Sequence, residues 1–280
     1  MSGDAFLGIP PGELFVLAAG VAASGLVAGV VAGMLGVGGG IVLVPVLYQA
    51  LTFLGVGEAV CMPLAVGTSL ATIIPTSIRS TISHNRHGAV DWDVLKAWFL
   101  PTVAGVLAGT ALMGVIGGQG LKLVFAYGAG ALGLFMLAGR EEWRIGAEVP
   151  KGVAAWPLGM ANGLLSVLMG IGGGTFGVAI MTLYGATIHR AVATAAGFGA
   201  IIAVPGTIGM ILNGWGQEGL PPFSLGHVSL LGLILIVPAT MLSTPLGVAI
   251  SHRLGRRTLR QAFGLFLGLT ALRMAWAWMG

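Results

Sequence analysis

Charge is the scarcest commodity in this chain. Only 13 Lys or Arg and 9 Asp or Glu occur among 280 residues, or 8%, where a water-soluble domain carries about 25%. So few charges could not hydrate a globular surface, which makes lipid the solvent. One cysteine, Cys61, stands in apolar flanks; it forbids an internal disulfide and reads as a small buried side chain. Acids are missing from every long apolar run, all nine lying in connecting stretches or at run ends. The intramembrane carboxylate of proton pumps and carboxylate-coupled antiporters is therefore absent. No HExxH, paired-acid or metal-ligand set appears, so membrane hydrolase chemistry lacks its groups. No cofactor is expected. Residues 1–12 hold Asp4 but no Lys or Arg, so they lack the basic start of a cleaved signal peptide, and the first apolar run is expected to remain.

What is present is apolar sequence and glycine. Hydrophobic residues make up 56%, mean hydropathy is +0.97, and 49 positions are glycine. Ten apolar runs can be read, near 13–35, 38–55, 59–82, 93–116, 120–138, 153–171, 173–186, 190–212, 226–250 and 258–279. Several approach the roughly 20 residues that span a bilayer, whereas 38–55 and 173–186 run short. Small-xxx-small faces such as Gly25/Gly29/Gly33 and Gly264/Gly268 suit close helix packing in lipid.

Charge fixes the count. If all ten runs reverse direction, one side receives Arg79, Arg86, Lys96, Arg140, Arg144, Lys151, Arg190, Arg253, Arg256, Arg257 and Arg260, and the other only Lys122 and Arg273. If each glycine-rich break merely interrupts one long span, the bias vanishes. The positive-inside rule selects ten segments, puts the basic side in the cytoplasm and both termini outside. The basic balance then reports topology, and no nucleic-acid partner is expected. Tryptophans 92, 98, 143, 156, 215, 276 and 278 fall at or near run ends, as an interfacial belt requires.

Two stretches repeat. Gly25–Gly40 (GLVAGVVAGMLGVGGG) returns 134 residues later as Gly159–Gly174 (GMANGLLSVLMGIGGG). Downstream, 65–75 matches 195–205, and Leu121/Lys122/Phe125 matches Leu259/Arg260/Phe263. Five runs per copy turn the second copy upside down, so an all-α integral membrane protein built as an inverted repeat is expected: 1–139, a hydrophilic linker at 140–152, then 153–280.

The candidate site follows from the breaks. Gly36, Gly38, Gly39, Gly40 and Gly170, Gly172, Gly173, Gly174 would interrupt apolar helices and free backbone N–H groups, which membrane interiors tolerate only where protein or water satisfies them. Such donors at a helix start hold an anion without a full positive charge. Close helix packing at glycine is the alternative for one copy; two copies in inverted register favour a substrate site of the broken-helix type. A dinucleotide loop would need a preceding strand and a ribose-binding acid, and neither is present. Thr68, Thr72, Thr76 and Ser80 recur at i, i+4 with Ser69 beside them and Pro75 nearby; they either bond within their helix or wall a substrate path. The matching helix offers only Thr194, Gly197, Gly199 and Pro205, so an asymmetric site is expected. Ser166 and Thr175 flank the second break. Arg273 is the one deep charge, either snorkelling outward or facing an anion. The stretch 83–92 (SHNRHGAVDW) reads as an ordered turn or a gate, and His189 and Arg190 begin a segment on the same side, able to attract anions.

The paired Gly-x-Gly-Gly-Gly breaks, Pro45 after the first, the His-Asn-Arg-His-Gly-Ala-Val-Asp-Trp loop and the Pro/Gly pattern beyond it resemble the TauE/SafE family of sulfite and organosulfonate permeases, over residues 14–279. The resemblance implies a multi-span inner-membrane protein moving sulfur-containing anions such as sulfite, sulfonates or sulfoacetate. It departs at Ala179, where symmetry would repeat Pro45. Sulfur specificity rests on the resemblance; backbone dipoles and hydroxyls by themselves imply only a small anion. With no membrane acid, a coupling proton would travel on the substrate as bisulfite. The expected function is a secondary transporter working by alternating access, against a passive anion channel of the same fold or a subunit of a larger complex. Oligomeric state is not legible.

Overall fold

A computed structural model describes residues 11–36, 38–138 and 144–279. Residues 140–143 at the start of the basic linker, Arg140 and Trp143 included, lie outside the described residues, as does the side chain of Arg273. Helices dominate: α1 (Pro11–Leu35), α2 (Gly40–Phe53), α3 (Glu58–Asn85), α4 (Trp92–Ala138), α5 (Ala155–Met169), α6 (Gly174–Leu183), α7 (Ile188–Asn213), α8 (Leu230–Arg253) and α9 (Arg256–Met279). Six apolar stretches along them are long enough to cross a bilayer. α4 carries two of the expected runs, because Gly117 breaks it at φ 63°, ψ −173°. α2 and α6, at 14 and 10 residues, reach only about 21 and 15 Å at 1.5 Å per residue, short of the ~30 Å hydrocarbon core.

The helices pair through small residues, as expected where lipid is as apolar as leucine and only close packing holds helices together. α1 lies parallel to α8: Gly25 faces Ala239, Gly29 faces Ser243 and Thr240, and Gly33 faces Thr244 and Val248. α5 lies parallel to the first arm of α4 in the same way, with Gly159 on Pro101, Gly163 on Thr102 and Val106, and Gly109 on Val167 and Leu164. α3 crosses α7 antiparallel, Gly67 meeting Met210, Leu70 meeting Gly206 and Ser77 meeting Gly199. α9 runs antiparallel to the second arm of α4, with Gly133 against Gly264 and Gly268. Large apolar side chains such as Phe15, Val27, Leu107, Val115, Leu134 and Leu242 face outward, the arrangement of a chain solvated by lipid.

Two sequence expectations need correction. The run expected from residue 226 becomes helical only at Leu230; before it, β1 (Ser224–Leu225) and β2 (Val228–Ser229) form a hairpin. Phe223 and Gly226 at positive φ turn the chain there, and the hairpin dips inward until Ser229 N–H donates to Thr68 Oγ1 at 2.8 Å. Trp98 does not face lipid. It is fully buried, its ring 5.8 Å from Phe198, and its Nε1–H donates to Pro150 O at 2.9 Å.

Candidate substrate site at the paired glycine breaks

Both breaks fold alike. Gly36, Gly38 and Gly39 take φ 67°, 68° and 81°; Gly170, Gly172 and Gly173 take 65°, 48° and 72°. The first, third and fourth positions of each motif are left-handed, a conformation in which a Cβ is strained. Gly39 and Gly173 then serve as the left-handed N-caps of α2 and α6. Glycine is therefore needed twice for one backbone path.

The two paths touch. Gly40, at the start of α2, lies directly against the carbonyl of Gly170, and Ser69 Oγ donates to that carbonyl at 2.8 Å. Ile73 of α3 is the shared wedge: built Cβ positions at Gly38 and Gly172 come within 2.7 and 2.6 Å of its Cγ2. Sequence reasoning passed over Ile73, whose signal was its place in the hydroxyl-rich stretch 68–80.

The hydroxyl stripe is mostly engaged. Thr72 Oγ1 donates to Thr68 O and Thr76 Oγ1 to Thr72 O, both at 2.9 Å, while Thr68 Oγ1 accepts from the hairpin. Thr76 also bonds Thr240 Oγ1 of α8 at 3.0 Å. These hydroxyls act within and between helices in this conformation.

Beside the second break the accounting is different. Ser166 Oγ and Thr175 Oγ1 are buried without a hydrogen-bond partner, and so are both polar atoms of Asn162, one turn before Ser166 on α5. Asn162 faces Gly177 of α6, whose Cβ direction ends 3.4 Å from Oδ1. Buried polar groups of this kind are costly unless something bonds them. Their counterparts 134 residues earlier are Ala28, Ala32 and Ile41, so these three unmet side chains have no polar equivalents at the first break. Asn162 was missed by sequence reasoning, although an asparagine in the middle of a glycine-rich apolar run was the available signal. All of these side chains are at most 1% exposed, which gives the breaks an occluded arrangement.

Two predicted residues lie elsewhere. Thr194 Oγ1 accepts from Asp91 N–H at 2.9 Å, and the Arg190 guanidinium pairs with Asp91 at 2.7 Å. Both belong to the basic end of the bundle, where a cleft of about 280 Å³ is lined by Asp91, Glu148, Lys151, Tyr184 and Arg190. At the opposite end Lys122, 6% exposed, bonds Glu58 and sits 4.7 Å above the Tyr48 ring. Cys61 is buried, with its thiol directed at Tyr48 O.

Comparison with known proteins agrees with this architecture. A "probable membrane transporter protein" of Haemophilus influenzae is 30% identical over 250 residues, covering 89% of this chain and 95% of the relative. Proteins of Methanocaldococcus jannaschii and Bacillus subtilis, also described as probable membrane transporter proteins, are 27% and 25% identical, over 89% and 84% of this chain and 92% and 89% of theirs. No solved structure matches. The profile of the family described as "Sulfite exporter TauE/SafE" matches residues 21–274. This multi-pass membrane protein, with its duplicated and interlocked glycine breaks, belongs to the TauE/SafE family of membrane transporters.

Proposed function

We propose that the protein is a secondary transporter carrying a small sulfur-containing anion, of the sulfite, sulfonate or sulfoacetate type, across the inner membrane by alternating access. The halves 1–139 and 153–280, joined by the linker 140–152, would be inverted copies. The antiparallel crossing of α3 with its counterpart α7, and of the second arm of α4 with α9, supports that reading. The basic end would face the cytoplasm and both termini the periplasm.

One observation carries the anion assignment. The start of α6, where helix N–H groups and the positive end of the dipole converge, adjoins two buried hydroxyls and a carboxamide with no protein partner. A sulfur oxyanion offers several acceptor oxygens in one compact cluster and would satisfy Ser166, Thr175 and the Asn162 amide together. The unused Asn162 Oδ1 is an acceptor, so it favours a substrate that still carries a proton, such as bisulfite, over a bare dianion. A coupling proton would then cross on the substrate.

Reconstitution in liposomes tests this. Saturable flux of sulfite or a small sulfonate, exceeding that of sulfate and chloride, is expected for the native chain. Ser166→Ala with Thr175→Val should cut it at least tenfold while leaving thermal stability intact, and Gly39→Leu or Gly173→Leu should abolish it. Equal flux in the Ser166/Thr175 double variant would remove the anion from this position.

A further inference from the structure

Four of the chain's five histidines, from three separate stretches, meet at the basic end of the bundle. His84 is in the last turn of α3, His87 in the turn beyond it, His189 in the first turn of α7 and His252 in the last turn of α8. The His252 ring centroid lies 5.2 Å from that of His84, 4.2 Å from His87 and 6.2 Å from His189. His84 Nδ1 is 3.2 Å from His252 Nε2, and His84 Nε2 is 3.0 Å from Gly33 O of α1.

These contacts set the protons. A carbonyl only accepts, so His84 Nε2 carries its hydrogen and, in the neutral ring, Nδ1 is an acceptor. His252 Nε2–H must then be the donor to His84 Nδ1. The result is a relay, His252 to His84 to Gly33 O, that ties α8 through α3 to α1. It ends three residues before the first glycine break. Among the described residues no acid acts on the two linked rings: the groups acting electrostatically on His84 are His252, His87 and His189, and those acting on His252 are His87 and His189. α1 contributes only the carbonyl, its single acid, Glu13, being at the far end. From the loop before α4 comes Asp91, which is spent on Arg190 of α7. Arg86 and Arg253, each next to a cluster histidine, are exposed and add like charge.

We propose that this cluster is a proton-binding site that latches the basic end of the transporter proposed above. With neutral rings the relay holds α8, α3 and α1 together. A proton taken up from water on that side at His84 Nδ1 turns the acceptor into a donor facing another donor. Protonation of His87 or His189 together with His252 puts like charges within a ring's width of each other. Either event releases the latch and opens a path toward the glycine breaks. Metal ligation fits less well: the His87 and His252 rings lie 4.2 Å apart and tilted by 34°, and among the described residues no three His, Cys, Asp or Glu side chains are placed to share a metal ion.

Ser80, fully buried one turn below His84, reports the latch without any need for transport. In a Cys61→Ala background, Ser80→Cys would be labelled with a water-soluble maleimide in proteoliposomes, each rate normalised to Val153→Cys, an 87% exposed position. Protection at pH 8 should give way to at least tenfold faster labelling at pH 5.5. His84→Asn and His252→Asn should each flatten that response. A pH-independent rate in the parent, or a response that survives both substitutions, would overturn the proposal. So would a latch opened at pH 8 by EDTA and closed again by Zn²⁺, since the cluster would then be a metal site. Sulfite flux is measured on the same vesicles. Absent flux with an intact labelling response counts against the anion reading alone, and normal flux with no response counts against the latch alone.

Discussion

Gly117 adopts φ 63°, ψ −173°, a region essentially reserved for glycine, where any other residue costs on the order of 1–3 kcal/mol. Nothing lies within 4 Å of a Cβ built there, so the penalty for Gly117→Ala would be backbone strain alone. Gly114, three residues earlier, is helical and equally open; there alanine should stabilise by roughly 0.5–1 kcal/mol through helix propensity. Thermal unfolding in detergent should therefore shift down for Gly117→Ala and up for Gly114→Ala. His227 supplies a pH test outside the spanning helices. It is 6% exposed with Nε2–H donating to Gln217 Oε1 at 2.6 Å, and burial pushes its pKa below the ordinary histidine value. The unfolded chain takes up this proton more readily than the folded one, so the contribution is complete above about pH 6.5 and is lost as pH falls below it. The melting temperature should drop between about pH 7.5 and 5.5, and His227→Gln should remove part of that drop.

At the scale of elements, the α1–α8 and α5–α4 pairs depend on the absence of side chains. A Cβ at Gly29 would collide with Ser243 Oγ and Thr240 O, and one at Gly163 with Thr102 O. Overpacking of this kind costs about 1–3 kcal/mol. Gly29→Ala and Gly163→Ala should each lower the detergent melting temperature, while Gly20→Ala, with open space around it, should not. Much of this layer was legible in the sequence. Run lengths and the small-xxx-small spacing of Gly25/Gly29/Gly33 report helices and a packing face, because in lipid the apolar period and the glycine period are the whole signal. Two things were not legible. The hairpin at 224–229 is too short to make a pattern, and the partner of each glycine face lies far away along the chain, as Ala239 does from Gly25 and Pro101 from Gly159. The hydroxyls at 68, 72 and 76 looked like a path wall because sequence shows the i, i+4 stripe but not the carbonyl each one bonds. The unsatisfied trio Asn162, Ser166 and Thr175 stands out only once those bonds have been assigned.

For the whole molecule, the ends of α3 and α7 decide between the inverted arrangement and any other. Eleven of thirteen basic residues fall on one side if the chain reverses at each of ten segments, and the antiparallel crossing of α3 and α7 sends their C-terminal ends to opposite faces. The end of α3 leads to Arg86, that of α7 to Trp215, and both are exposed. In a Cys61→Ala background, which removes only a buried thiol, Arg86→Cys and Trp215→Cys can be probed in intact cells with a membrane-impermeant thiol reagent. The cysteine at 215 should be labelled from outside at once, and the one at 86 only after the membrane is permeabilised, because cytoplasmic loops concentrate Arg and Lys. Reversed labelling would turn the molecule over and place the histidine cluster outside, where the latch would read periplasmic acidity. Labelling of both from one side would separate the repeated sequence from inverted topology, and alternating access through two mirrored halves would lose its structural basis. The result thus fixes which compartment's protons and anions reach the glycine breaks first.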